Sequence, residues 1–114
     1  MNHRLQRVAT AIQRELSAVL LREIEFPVPV VAVSSVDITP DLKQAHVYIS
    51  TLAEGAVREE ILEILADKRP FLQSELSRRV ILKNTPHLHF HLDASIERGA
   101  RVLGILDELG FDRP

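Results

Sequence analysis

Three groups of residues in this 114-residue chain are of a type and spacing that could do chemistry. The first is His87-x-His89-x-His91. On an extended chain, period-two spacing sets three imidazoles on one side, where neighbouring rings could share a metal or, below about pH 6.5, carry charge. No fourth ligand accompanies them and the chain has no cysteine, so the plain reading is a wet sheet face that histidine lines. Neither a metal nor any other cofactor is called for. The second group is Arg4, Arg7, Arg14 and Arg22. At 100° per residue these fall within an arc of about 80°, spread over about 27 Å of helix, a ridge suited to phosphates. The third is a set of cations further on: Lys68 and Arg69, then Arg78, Arg79 and Lys83, with Arg98 and Arg101 near the end.

Catalytic constellations are missing. The four glycines are Gly55, Gly99, Gly104 and Gly110, so no glycine-rich phosphate loop exists, nor a nucleophile elbow or a His-Glu-x-x-His pair. Glu59, Glu60 and Glu63 come without a base or an oxyanion donor cluster and read as solvent-facing charge. No enzyme is expected.

The formal net charge of −2 hides a pattern. Residues 1–23 carry four Arg against two Glu, and residues 68–83 carry five cations against one acid. Between them, residues 24–67 carry eight acids against two cations. Such asymmetry in a short chain is often only a solvated face, but two basic blocks make a polyanionic partner worth testing.

These residues need elements to position them. Leu5, Val8, Ile12, Leu16, Val19, Leu20 and Ile24 recur at spacings of three and four, which predicts an amphipathic helix over about 3–24, ended by Pro27 and Pro29. Val30–Ile38 and Ala45–Leu52 read as strands joined at Thr39-Pro40-Asp41, an antiparallel hairpin covered on at least one face. After Glu54-Gly55, a helix over about 56–67 meets Lys68-Arg69-Pro70, where proline predicts a kink. Phe71, Leu72, Leu76 and Val80 continue helical spacing to about residue 82. Leu88, Phe90 and Leu92 alternate with the three histidines as a short strand, and a last helix is expected over about 95–109, capped by Asp93 or Ser95 and stopped by Gly110. Hydrophobic residues make up 46% and charged residues 26%, the composition of one globular domain spanning 1–114, with no membrane span and no secretory signal.

The order α-β-β-α-α-β plus a C-terminal helix makes an α+β two-layer sandwich with a three-stranded sheet, the order of a type II KH domain, a nucleic-acid fold. KH domains grip a phosphate backbone at the turn between two helices, usually through G-x-x-G. Here that place reads Asp67-Lys68-Arg69-Pro70.

At this point the chain resembles the ribosome-binding factor A family. The likeness runs through Arg4-x-x-Arg7-Val8, Ile12, Glu15-Leu16 and Arg22-Glu23-Ile24, then Val33-Ser34-x-Val36 and Asp41-Leu42-x-x-Ala45-x-Val47-Tyr48-Ile49-Ser50. It continues in Phe71-Leu72, Pro86-x-Leu88-x-Phe90 and Asp93-x-Ser95-x-Glu97-x-Gly99. The resemblance implies a KH-like fold with a kinked helix pair. It implies a cytoplasmic, non-catalytic factor that binds free 30S subunits or their precursors and 16S rRNA, assists late maturation including 16S 5′-end processing, and supports growth in the cold. It further implies release by other assembly factors, GTPases among them. A monomer is expected. The phosphate contacts expected are Arg4, Arg7, Arg14, Lys68, Arg69, Arg78, Arg79, Lys83, Arg98 and Arg101. The family's small residue and glycine at the kink are replaced by Arg69 and Pro70, and three positions often basic in relatives are Val28, His46 and Gln73.

Overall fold

A computed structural model describes residues 3–93 of the chain. The expected last helix, with Arg98 and Arg101, lies outside the described residues. Helix α1 spans His3–Glu23 and buries Ile12, Leu16, Val19 and Leu20, the stripe its periodicity predicts. Strands β1 (Val31–Ile38) and β2 (Gln44–Thr51) pair antiparallel, from Val31 opposite Thr51 to Ile38 opposite Ala45. The turn between them is specified locally. Asp41 Oδ1 accepts from the Thr39 hydroxyl (2.7 Å) and from Lys43 N–H (3.0 Å), and Leu42 adopts a left-handed φ of 62°. The same two bonds hold the exposed Asp41 carboxyl below its ordinary pKa.

One departure from regular pairing is a β-bulge between Val33 and Ser35. The extra residue, Ser34, uses its hydroxyl on the Tyr48 carbonyl (3.1 Å) and on Asp93 Oδ2 (2.7 Å). Gln13 of α1 donates to the bulge carbonyls of Val33 (3.4 Å) and Ser34 (3.2 Å). The bulge thus carries contacts to α1 and to the end of the third strand.

Helix α2 runs Ala56–Arg79 as one element with Pro70 inside it. The two helices of the sequence reading are one continuous element with the proline inside it, and the buried face shows why the two halves stay together. Ile61, Leu65, Leu72 and Leu76 are all buried, and at 100° per residue they share an arc of about 60°. Both halves must face the core in the same direction. Pro70 costs the Ala66 carbonyl its helical donor without breaking that stripe. Gly55 precedes the helix at φ 60°, ψ −135°, a backbone region essentially closed to other residues.

Strand β3 (His87–Leu92) joins β2 in parallel, so β2–α2–β3 is a crossover unit and the sheet order is β1-β2-β3. One face of the sheet carries the buried Val33, Val36, Ala45, Val47, Ile49 and Leu88 and receives both helices. The other face carries Gln44, His46, Tyr48 and Ser50 from β2 and His87, His89 and His91 from β3. This is the α+β two-layer arrangement expected, with the KH-like order α1-β1-β2-α2-β3 over the described residues.

Candidate nucleic-acid interface

The burial of the α1 stripe turns Arg4, Arg7, Arg14 and Arg22 outward, and all four are exposed. Arg7 and Arg14 line an open concavity with His3, Gln6, Thr10 and Ala11. Arg14 lies at the junction with α2. Its Nε is 3.5 Å from Glu15 Oε2, and Glu15 Oε1 is 3.4 Å from Arg79 Nη1. Arg79 Nη2 reaches Glu75 Oε1 at 3.3 Å, and Arg78 Nη1 reaches Glu75 Oε2 at 3.0 Å.

The result is a chain of charges, Arg14–Glu15–Arg79–Glu75–Arg78, in which cations outnumber anions. Its ends and its middle differ. The side chains of Arg14 and Arg78 are 72% and 74% exposed, while that of Arg79 is 28% exposed. An exposed pair contributes at most about 1 kcal/mol and leaves its cation available, whereas the half-buried, doubly paired Arg79 ties α1 to the C-terminal turn of α2. Arg78 and Arg79 also sit where cations complement the helix macrodipole. The structure thus brings Arg14, Arg78 and Arg79 together. Arg79 has structural partners that the sequence alone did not reveal. Lys83 is exposed just beyond the helix, and Lys68 is exposed on the same side of α2 as Arg79, about 16 Å along the axis.

Arg69 points elsewhere. It is one helical turn before Gln73, and i,i+4 residues share a face. Gln73 accepts from the Leu88 N–H (2.6 Å) and donates to the Pro86 carbonyl (3.0 Å), clamping the outer edge of β3. Arg69 is half-buried, and its Nε is buried without a hydrogen-bond partner.

The feature that sequence reasoning undervalued is the open sheet face. The parallel register sets His46 beside His89 and Tyr48 beside His91. The rings form a column: His46 stacks on His89 (centroids 4.9 Å apart) and on His91 (5.1 Å), and Tyr48 stacks on His91 (5.1 Å). His87 meets His89 edge-on at 4.8 Å. His46 Nδ1 and His91 Nε2 are 2.9 Å apart, so one donates and the other accepts. Burial first, then the charges that His87, His46, Arg69 and His91 can carry, holds the His89 pKa below its ordinary value. Among the described residues no three side chains are arranged to hold a metal ion. The alternation in β2 and β3 was readable, but the pairing of His46 with the other three depends on a register that no local signal sets.

Two of the three positions singled out from the resemblance have roles in the fold: Gln73 clamps β3, and His46 joins the column. Val28 is half-buried and packs against the core. What this surface can do chemically is hold anions, with a cationic edge along α1 and the C-terminal half of α2 and a row of titratable rings behind it.

Comparison with known proteins gives the family and the fold. The family model for ribosome-binding factor A matches residues 4–106. Ribosome-binding factor A of Chromohalobacter salexigens is 42% identical, over 96% of this chain and 86% of its own length. The crystal structure of ribosome-binding factor A from Thermus thermophilus is similar in fold, with a TM-score of 0.70 at 22% identity, over 77% of this chain and 94% of that one. A Thermus thermophilus homology model fitted into a cryo-electron-microscopy map of a 30S complex gives a TM-score of 0.62 at 24% identity, covering 83% of this chain and 97% of that one.

Proposed function

Since the chain belongs to the ribosome-binding factor A family, we propose that it binds free small ribosomal subunits or their precursors. There it assists late maturation, including processing of the 16S rRNA 5′ end. It acts without catalysis and as a monomer, with 1–114 as one KH-like domain, by holding an rRNA arrangement until other assembly factors, GTPases among them, release it. It works in the cytoplasm and matters most in the cold. The observation that carries this reading is the cationic edge where α1 meets the end of α2, with exposed Arg14 and Arg78 held beside Arg79. The relative seated in a 30S map supports the choice of partner.

The phosphate contacts are Arg4, Arg7 and Arg14 on α1, Lys68, Arg69, Arg78 and Arg79 on α2, and Lys83, with Arg98 and Arg101 as weaker members. Few aromatic side chains are free to read bases, so recognition rests on the shape of folded rRNA. Engaging about six phosphates gives a log–log salt slope of about −4 to −5. The test is cosedimentation with free small subunits and with intact ribosomes at two salt concentrations. Salt-sensitive binding to the free subunit alone is expected, and Arg7→Glu with Arg14→Glu should weaken it in a protein that remains folded. Binding unchanged by that reversal at matched stability would remove α1 from the interface. Reversal of Glu59, Glu60 and Glu63 should leave binding in place; its loss there would assign the interface to the acidic half of α2.

A further inference from the structure

The open face of the sheet is not uniform. Where β3 begins it is polar, with Asp37, His46 and His89 side by side across the three strands. At the opposite end it turns apolar. Val31 and Thr51 are paired there and face the helices, Thr51 buried and Val31 packed against the core. Strand alternation sends their neighbours, Val30 and Leu52, to the open side. Val30 is 44% exposed and Leu52 66%, and Ala32, opposite Ser50, is exposed beside them. The result is an aliphatic corner in water on a face that is otherwise polar.

The chain leaves β3 at this same end. Leu92 lies opposite Ile49, and the Asp93 N–H donates to the Ile49 carbonyl at 2.7 Å. Alternation puts the Asp93 side chain on the open face, where its Oδ2 lies 2.7 Å from the Ser34 hydroxyl of β1. Strand β2 separates β1 from β3, so Asp93 reaches across it, toward the strand that carries Ala32. Residues 94–114 follow. In their sequence Ile96, Leu103, Leu106 and Leu109 recur on one side at helical spacing, with Glu97, Arg101 and Glu108 on the other. A helix over 95–109 measures about 22 Å, ample to cross the roughly 10 Å from β3 to β1. Such a stripe needs a second layer to bury against, and α1 and α2 already occupy the other face of the sheet.

We infer that residues 95–109 of this same chain dock as an amphipathic helix on the open sheet face, at the corner formed by Val30, Ala32 and Leu52, and add a third layer to the fold. The occupant is the chain's own segment because Asp93 delivers it there, three residues before Ile96. A second copy would have to reach the same corner past the segment that starts beside it. Other exposed aliphatic side chains are badly placed for it: Leu21 is on α1, on the far side of the sheet, and Ile81 precedes the opposite end of β3. Docking leaves the cationic edge of α1 and α2 open, so the inference stands apart from the nucleic-acid reading.

The full chain has no cysteine, so thiol pairs can be introduced cleanly. Leu52→Cys is combined in turn with Leu103→Cys and Leu106→Cys, on the apolar side of the segment, and with Arg101→Cys and Glu108→Cys on its polar side. A short bifunctional maleimide should join at least one apolar-side pair within a single molecule, faster than either polar-side pair. No joining, or joining indifferent to side, would overturn the inference. Joining only between molecules, rising with concentration, would give the corner to a second copy and overturn it as well. A second measurement needs no thiol. Leu103→Glu with Leu106→Glu should speed trypsin cleavage after Arg98 and Arg101 about tenfold, because cleavage follows the undocked population. Cleavage within α1 should not change, which shows that the rest of the protein remains folded. The NMR signals of Val30, Ala32 and Leu52 should shift in that variant while those of Ile12 stay. Equal cleavage after Arg98 and Arg101 in the two proteins, or unmoved signals at the corner, would overturn the docking.

Discussion

The Gln73 clamp gives the most sharply worked prediction, because one side chain makes two opposite bonds at a strand edge. Its amide N–H donates to the Pro86 carbonyl at 3.0 Å, and its carbonyl accepts from the Leu88 N–H at 2.6 Å. Pro86 and Leu88 are themselves buried, so water replaces these bonds poorly after truncation. Each bond contributes about 1 kcal/mol net, and an orphaned buried N–H costs about 1–3 kcal/mol. Gln73→Ala should therefore destabilise the protein by about 2 kcal/mol. Gln73→Glu is the diagnostic partner. It still accepts from Leu88 but sets a carboxylate oxygen against the Pro86 carbonyl, so it should recover none of the loss. Urea denaturation followed by circular dichroism reads both values, and faster hydrogen exchange at the Leu88 amide locates them. An alanine variant within about 0.5 kcal/mol of the parent, or a glutamate variant as stable as the parent, would refute the clamp as an energetic contact.

Other perturbations follow from single features. Leu72→Ala, at a fully buried position of α2, should cost about 2–5 kcal/mol in the same denaturation assay. Arg79→Ala should cost about 1 kcal/mol by freeing Glu15 and Glu75 together, while Arg78→Ala, losing one exposed pair, should cost less than about 0.5 kcal/mol. Gly55→Ala meets open space yet must adopt a glycine-only backbone, so its loss of about 1–3 kcal/mol should appear with no repacking of neighbours in an NMR chemical-shift comparison. His89 has a lowered pKa in the folded chain, so the unfolded chain binds more protons just below pH 6.5. The denaturation midpoint should be flat above that pH and fall as pH drops through and below it, and His89→Gln should reduce the fall.

Much of this was legible from residue spacing. The α1 stripe of Ile12, Leu16, Val19 and Leu20 has one helical solution, and the alternation of Ala45, Val47 and Ile49 with His46 and Tyr48 has one strand solution. The outward row of α1 arginines followed directly, since burial of one face fixes the other. Local signals failed where the outcome depended on distant partners. Proline was read as dividing a helix pair, but the shared direction of Leu65 and Leu72 toward one core keeps both halves in a single element. Arg79 was read as a phosphate contact, and only the packing of α1 on α2 shows Glu15 within its reach. His46 lies 43 positions before His89 in the chain, and their stacking required the parallel register of β2 and β3.

The two glutamines described above have a consequence for how copies of this protein meet. A three-stranded sheet has two outer strands, here β1 and β3, and each is a template onto which a strand of another molecule can add. Gln13 of α1 occupies carbonyls at the β1 bulge, and Gln73 of α2 occupies the entry of β3, so each helix blocks the strand nearest to it. The bulge further twists β1 away from flat pairing. Side chains that hold the fold together thus also discourage end-to-end growth of the sheet into larger assemblies. A protein with both Gln13→Ala and Gln73→Ala should show this in light scattering, as a concentration-dependent rise in mass that the single substitutions do not produce.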